Sequence, residues 1–267
     1  MTVLDAVCKQ YQKLFPSNFP EHTNLSALYD LDDKAEFHEA YFQHEYAKGQ
    51  AMVERFAAID TSWQSGSILD FGCGGGGLTL RFGEHASRAV GIDLDPKKIA
   101  FAESKRSELN AEHVEFLQYG GGAIPLPDAS FDSIVCVDVV EHLPNIDFYF
   151  AEFRRLLKPD GHLLISYGPP WCHAHGKHMW HKLPGWWTHL VFPRAVVMRT
   201  AGYPSHTTYE DLGMYRLSVA KFERVIQQSK FRTEYSKFLV NKRLTPLVYL
   251  PFARELVISE VVKVLRP

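Results

Sequence analysis

Between residues 67 and 77 an apolar run, Ser67-Ile68-Leu69-Asp70-Phe71, stops at Gly72 and is followed by Cys73 and four more glycines, Gly74 to Gly77. A chain that leaves a buried strand, reverses tightly and starts a helix needs positive φ and close backbone approach, which glycine supplies without strain. Residues 78–84 then read as a helix and Arg88 to Leu94 as a second strand, so the segment opens a βαβ unit. The start of such a helix offers free N–H groups to a ligand. Asp93 closes the second strand 23 residues after Asp70, where a carboxylate takes the ribose hydroxyls of a nucleoside. A nucleotide-like cofactor is implied.

The rest of the chain continues the alternation. A helix over 96–109, opened by Pro96, leads to a strand over 113–118. Residues 131–139 form an almost unbroken apolar strand, a helix spans 144–157, Lys158-Pro159-Asp160-Gly161 is a stop signal, and 162–167 is a fifth strand. A helix near 217–226 and strands over 231–239 and 256–265 close the fold. The expected class is α/β: a doubly wound, Rossmann-like, seven-stranded and mostly parallel sheet with helices on both faces. Residues 1–62, with helical spacing of Phe37, Tyr41, Phe42, Met52, Val53 and Phe56, form an N-terminal helical cap. The core is expected at 63–168 and 206–267, with residues 169–205 inserted as a lid. At 267 residues the chain is long enough to cover both faces of such a sheet. Its formal charge of −2, without blocks of one sign, argues against a nucleic-acid partner. No run of about 18 apolar residues argues for a membrane span. Cys8, Cys73, Cys136 and Cys172 lie far apart, as reduced thiols do, and the start of the chain lacks a basic stretch ahead of an apolar one; the expected location is the cytoplasm.

Gly72, Gly74 and Gly77 also satisfy the dinucleotide pattern, so an NAD-dependent oxidoreductase is a rival. Asp70 separates the two readings, because a carboxylate at the mouth of the first strand repels a pyrophosphate and welcomes a sulfonium. With Asp70, Gly72, Gly74 and Gly76 in D-x-G-x-G-x-G, the chain resembles the class I S-adenosylmethionine-dependent methyltransferases with a type 11/12-like domain. The resemblance runs on through Gly91-Ile92-Asp93-Leu94-Asp95, Ile124 to Asp132, Val139-Val140-Glu141-His142-Leu143 and Arg155 to Gly161, covering roughly 66–168. It implies S-adenosylmethionine as cofactor, with Asp70, Gly72, Gly74 and Gly76 at the methionine part, Asp93 and Leu94 at the ribose, and Val137 and Asp138 beside the sulfonium. Where many relatives carry an aspartate for the adenine amine, this sequence has Gly120, within Gln118-Tyr119-Gly120-Gly121-Gly122; a backbone carbonyl or stacking by Tyr119 takes its place.

Asp138-x-x-Glu141-His142 further resembles the metal-binding E-x-x-E-H of ubiquinone-pathway O-methyltransferases, although Glu-His here is common in relatives that use no metal, and none is assigned. Four of the five tryptophans (Trp171, Trp180, Trp186 and Trp187) and five of the thirteen histidines (His173, His175, His178, His181 and His189) crowd the lid. It follows strand five, on the edge where doubly wound sheets bind ligands. Acceptor binding, plain packing and a metal site all remain open for it. A hydroxyl acceptor needs a base, for which His142, His173, His175 and His178 are the candidates. The expected function is O-methylation of a small molecule or sugar, ahead of an N- or C-methyltransferase, an NAD enzyme or a noncatalytic S-adenosylmethionine-binding module.

Overall fold

A computed structural model describes residues 2–16, 35–59, 61, 63–179 and 182–267. Strands β1 (Ser67–Phe71), β2 (Arg88–Asp93), β3 (Val114–Gln118), β4 (Phe131–Val137), β5 (Leu157–Tyr167), β6 (Arg232–Val240) and β7 (Ile258–Arg266) form one sheet in the order β3-β2-β1-β4-β5-β7-β6. The first five pair in parallel, and β7 runs antiparallel to both β5 and β6. The order reverses between β1 and β4, which opens a crevice at their carboxyl ends.

Strand periodicity explains how both faces are covered. Along β4, Ile134 and Cys136 join one core cluster while Val135 and Val137 join another, because successive side chains point to opposite faces. On the first face lie α5 (Ile146–Leu156) and the helix Val219–Gln228, which bury Tyr149, Phe150, Phe153, Phe222 and Val225. On the second, α2 (Ala35–Ala57) and α3 (Gly77–Gly83) bring Met52, Val53, Phe56 and Phe82 against Val135 and Val262. Helix α4 (Pro96–Glu108) starts as its sequence suggests, with Pro96 in the first turn and the Asp95 side chain accepting from Lys97 N at 2.9 Å. Helix α1 (Val3–Leu14) is closed by a capping box between Thr2 and Asp5.

The stop at residues 158–161 behaves differently from its sequence signature. It ends α5, yet these residues run on as part of β5, and the β4 pairing jumps from Leu157 to His162. Lys158 Nζ reaches both oxygens of Asp132, at 2.8 and 2.7 Å, and Asp132 also accepts from Ser67 N. These bonds keep the bulge on the sheet.

At the end of β1 the chain obeys the glycine requirement strictly. Gly72 has φ +80°, and a Cβ there would lie 2.5 Å from Val139 Cγ2; Gly122 has φ +75° with open space around it. Gly72→Ala is therefore expected to destabilise the fold by about 2–4 kcal/mol, and Gly122→Ala by only about 1 kcal/mol, since the second carries backbone strain without overpacking. Urea unfolding of the pair checks this; equal losses would mean that contact with Val139 is not the cause.

Candidate functional site

The glycine loop is held from below by β2. Ile92 O accepts from Gly72 N at 2.8 Å and Cys73 N at 3.0 Å, while Asp93 accepts from Gly74 N and from Asp95 N, both at 2.9 Å. Asp93 thus fastens the loop with the same carboxylate that the sequence assigns to a ribose. Asp70 is buried at 2% exposure and accepts from Thr79 Oγ1 at 2.6 Å. Burial pushes its pKa up to about 7, with Glu45 and Asp93 adding to the rise against the hydrogen bond from Thr79. Asp70 therefore acts from within the fold and not at the open rim of the loop. Leu94 is exposed, and the open glycines Gly120 and Gly121 follow β3, with a Cβ on Gly121 lying 3.8 Å from Leu94 Cδ2. Tyr119 is placed otherwise than its stacking role requires: it is buried against Phe71, and burial together with a hydrogen bond to Tyr149 raises its pKa. Its ring belongs to the core.

Helix α2, which the sequence reading treats only as a cap, lies across this loop. A Cβ on Gly77 would meet Phe42 O and Tyr46 N at 2.8 Å, and one on Gly74 would lie 3.5 Å from the Tyr41 ring. Lys48 donates to Asp138 Oδ2 at 2.6 Å and stands 3.6 Å from Glu45. Burial works against the Lys48 charge, but Asp138 and Glu45 outweigh it and hold the ammonium above the ordinary lysine range. No signal in the sequence links residue 48 to residue 138, 90 positions away. Asp138 itself has φ +54° and donates its N–H to Ser166 O at 2.8 Å.

One turn beyond β4, Glu141 and His142 meet His178 of the lid; a ligand atom from each lies within 4.8 Å of the other two. Glu141 is 5% exposed, and neither carboxylate oxygen makes a hydrogen bond. Burial, helped by Asp138, pushes its pKa well up, although the nearby amides of Glu141 and Gly168 favour the charged form. His142 Nδ1 is 2.8 Å from Gly213 O, and His178 Nε2 is 2.9 Å from Pro169 O. The ring centroids are 5.5 Å apart.

The other lid histidines are placed elsewhere. His173 and His175 face each other at 5.5 Å; burial and then Lys177 hold both pKa values down to about 4. Lys177 is fully buried and donates to Gly185 O at 2.8 Å and Ala174 O at 3.3 Å. His189 Nε2 donates to Trp171 O at 2.7 Å, and burial lowers its pKa to about 3. Around them the lid has an apolar cluster of its own, including Met179, Leu183, Val197, Met198 and Met214. His181 and Trp180 lie outside the described residues. Of the four candidate bases, the structure brings His142 and His178 together and keeps His173 and His175 in the Lys177 cluster.

The cleft fits S-adenosylmethionine on its own chemistry. Asp70, Asp93, Glu45, Asp138 and Glu141 gather at the switch point around Lys48, and a ligand bearing a cation draws the buried carboxyls among them back toward their charged forms. Residues 69–165 match the family model for a methyltransferase domain. Those residues form a methyltransferase domain of the class I, S-adenosylmethionine-dependent kind. Its cofactor is S-adenosylmethionine. The chain is similar to an uncharacterized methyltransferase of Mycobacteroides abscessus (strain ATCC 19977), 26% identical over 209 residues, which are 75% of this chain and 76% of that one. It is 29% identical over 100 residues to the ubiquinone biosynthesis O-methyltransferase of Leptothrix cholodnii, covering 37% of this chain and 43% of that protein. The solved structure of a geranyl diphosphate methyltransferase in complex with SAM superposes with a TM-score of 0.58 at 13% identity, over 88% of this chain and 91% of the other. For most of its curated relatives the methyltransferase covers only 39% to 44% of their length. Among the described residues no helix is long and apolar enough to cross a membrane.

Proposed function

We propose that this chain methylates an oxygen of a small molecule or sugar. The observation that carries the reading is the convergence of Glu141, His142 and His178 just beyond the carboxyl end of β4. Methyl transfer to a hydroxyl has to dispose of a proton, whereas a neutral amine attacks without that help; an N-methyltransferase would leave this trio idle. Bound in the cleft, S-adenosylmethionine supplies an electrophilic methyl group on a sulfonium.

The chain's own residues do the rest. The loop fastened by Asp93 positions the cofactor, Lys48 and Asp138 join α2 to the end of β4, and the trio stands where the hydroxyl proton has to leave as the oxygen attacks. Alignment supplies much of the rate for an in-line displacement of this kind. The lid, seated after β5, forms the acceptor side, with His178 its contribution to the chemistry and the Lys177 cluster its internal support.

Two measurements test this. S-adenosylhomocysteine at 100 times its dissociation constant is expected to stabilise the protein by roughly 2.7 kcal/mol, and NAD by nothing; thermal shifts with the two ligands in parallel check it, and stabilisation by NAD alone sinks the reading. In a screen of phenols, sugars and amines with methyl-labelled cofactor, the label is expected on oxygen. His142→Ala and His178→Ala are then expected to lower turnover by about 100-fold, with S-adenosylhomocysteine affinity held within threefold. Labelled nitrogen, or full activity in both variants, would remove the trio from the chemistry.

A further inference from the structure

The geometry points to a divalent metal site formed by Glu141, His142 and His178, taking a borderline transition-metal ion such as Zn(II), Mn(II) or Fe(II). It deepens the O-methylation reading and rests on it for its purpose, but not for its existence. Three features of the trio carry it.

The donors are near one another and of the right kind. A ligand atom from each residue lies within 4.8 Å of the other two. Two imidazoles and a carboxylate suit borderline divalent ions. At metal–donor distances of about 2.1 Å a tetrahedral ion draws its ligands to about 3.4 Å from one another, so the side chains need to close by little more than an ångström.

The imidazoles are also held as metal ligands are held. A carbonyl oxygen can only accept, so His142 Nδ1, 2.8 Å from Gly213 O, carries the proton, and the lone pair of the neutral ring is on Nε2. By the same argument His178 Nε2, 2.9 Å from Pro169 O, carries its proton, and the lone pair is on Nδ1. A ligating histidine characteristically gives its other N–H to a carbonyl in this way, which fixes both tautomer and ring orientation.

The third feature is Glu141. Its carboxylate is 95% removed from solvent, with both oxygens lacking a hydrogen bond. Buried polar groups are almost always satisfied, so this one calls for a partner. A cation between the two rings supplies it.

The ligand set is not the one suggested by Asp138-x-x-Glu141-His142. Asp138 is engaged by Lys48 at 2.6 Å and its side chain is half exposed; a lid histidine 40 residues further on, His178, stands in its place. The site therefore closes only when the lid is seated, and it joins the lid to β4. Its charge would lower the cost of removing the acceptor's hydroxyl proton, which leaves to water, while the oxygen is held for attack on the methyl carbon.

The experiment uses tag-free, chelator-treated full-length protein, with Co(II) as the spectroscopic probe and Zn(II) in calorimetry. Expected are ligand-field bands from one Co(II) per chain, displaced by one Zn(II). Since loss of a second-layer partner already costs 10–100-fold in affinity, Glu141→Gln and His178→Ala are each expected to weaken Zn(II) by at least about 100-fold, while His85→Ala, on the far side of β2, keeps it. Circular dichroism and S-adenosylhomocysteine binding establish that each variant is folded, and His178→Gln replaces His178→Ala if the latter is not. Absent bands, or affinities unchanged in both trio variants, overturn the site. Oxygen methylation that persists without any bound metal removes the metal from the reaction and leaves the O-methylation reading standing; a metal-loaded protein that labels only nitrogen keeps the site and overturns that reading.

Discussion

Between pH 6.5 and pH 4 the lid is expected to lose stability steeply, ahead of the sheet. Burial holds His173 and His175 at about 4 and His189 at about 3, against about 6.5 for each when the chain is unfolded. These pKa values are depressed in the folded state, so the stability they contribute is complete above pH 6.5 and is lost as pH falls toward 4, because the opened lid takes up protons that the closed one refuses. At about 1.4 kcal/mol per unit, the full shifts correspond to at most roughly 3.5 kcal/mol each for His173 and His175 and roughly 5 kcal/mol for His189. Their mutual proximity and partial exposure reduce the sum to several kcal/mol. The charged neighbour on the lid is Lys177, already protonated throughout this window with its pKa near 8. Asp70 has the opposite sign: its raised pKa gives stability that is complete below about 3.8 and lost as pH rises through about 7. It lies under the glycine loop, so a local readout separates the two. Four of the five tryptophans are in the lid, and their emission, with hydrogen exchange of lid peptides, is expected to report opening before the far-ultraviolet signal of the sheet changes. Emission and exchange that stay constant down to pH 4.5 would show the histidines to be accessible to protons in the closed lid.

The second large effect is expected at Asp93. Asp93→Ala removes the acceptor for Gly74 N and Asp95 N together, so the cost falls on the protein as well as on the cofactor. Charge-assisted hydrogen bonds of this kind contribute about 1.5–3 kcal/mol each. A loss of about 3 kcal/mol in urea unfolding and at least 100-fold in S-adenosylhomocysteine affinity by calorimetry is the expected result. Asp93→Asn, which keeps one acceptor oxygen, is expected to fall between. Wild-type affinity in the alanine variant would take Asp93 out of the cofactor site.

These two predictions mark where the sequence is legible and where it is not. The β1 loop is readable because sterics leave only glycine at positive φ, and β4 because burial on both faces demands an apolar run whichever helix covers it. Local chemistry of this kind is written in neighbouring residues. What α2 does over the loop is not, since Lys48 and Asp138 meet only after the whole sheet has formed. Tyr119 misleads because an aromatic beside a cofactor loop and an aromatic in the core have the same one-letter signature; only its packing against Phe71 decides. Residues 158–161 mislead because a turn motif also bulges when Lys158 and Asp132 pin it to a neighbour. Among the lid histidines, spacing alone does not distinguish His178, which reaches back to Glu141, from His173 and His175, which turn toward Lys177.

The lid has its own apolar cluster, separate from the three that cover the sheet, and it is spliced in where one strand ends and one helix begins. Mutations that reshape it leave the pairing of β1, β4 and β5 alone, so drift in this segment is uncoupled from the machinery that loads the cofactor. Such an arrangement makes the stretch from Pro169 to Leu217 the natural unit to exchange when recombining this protein with another of its kind.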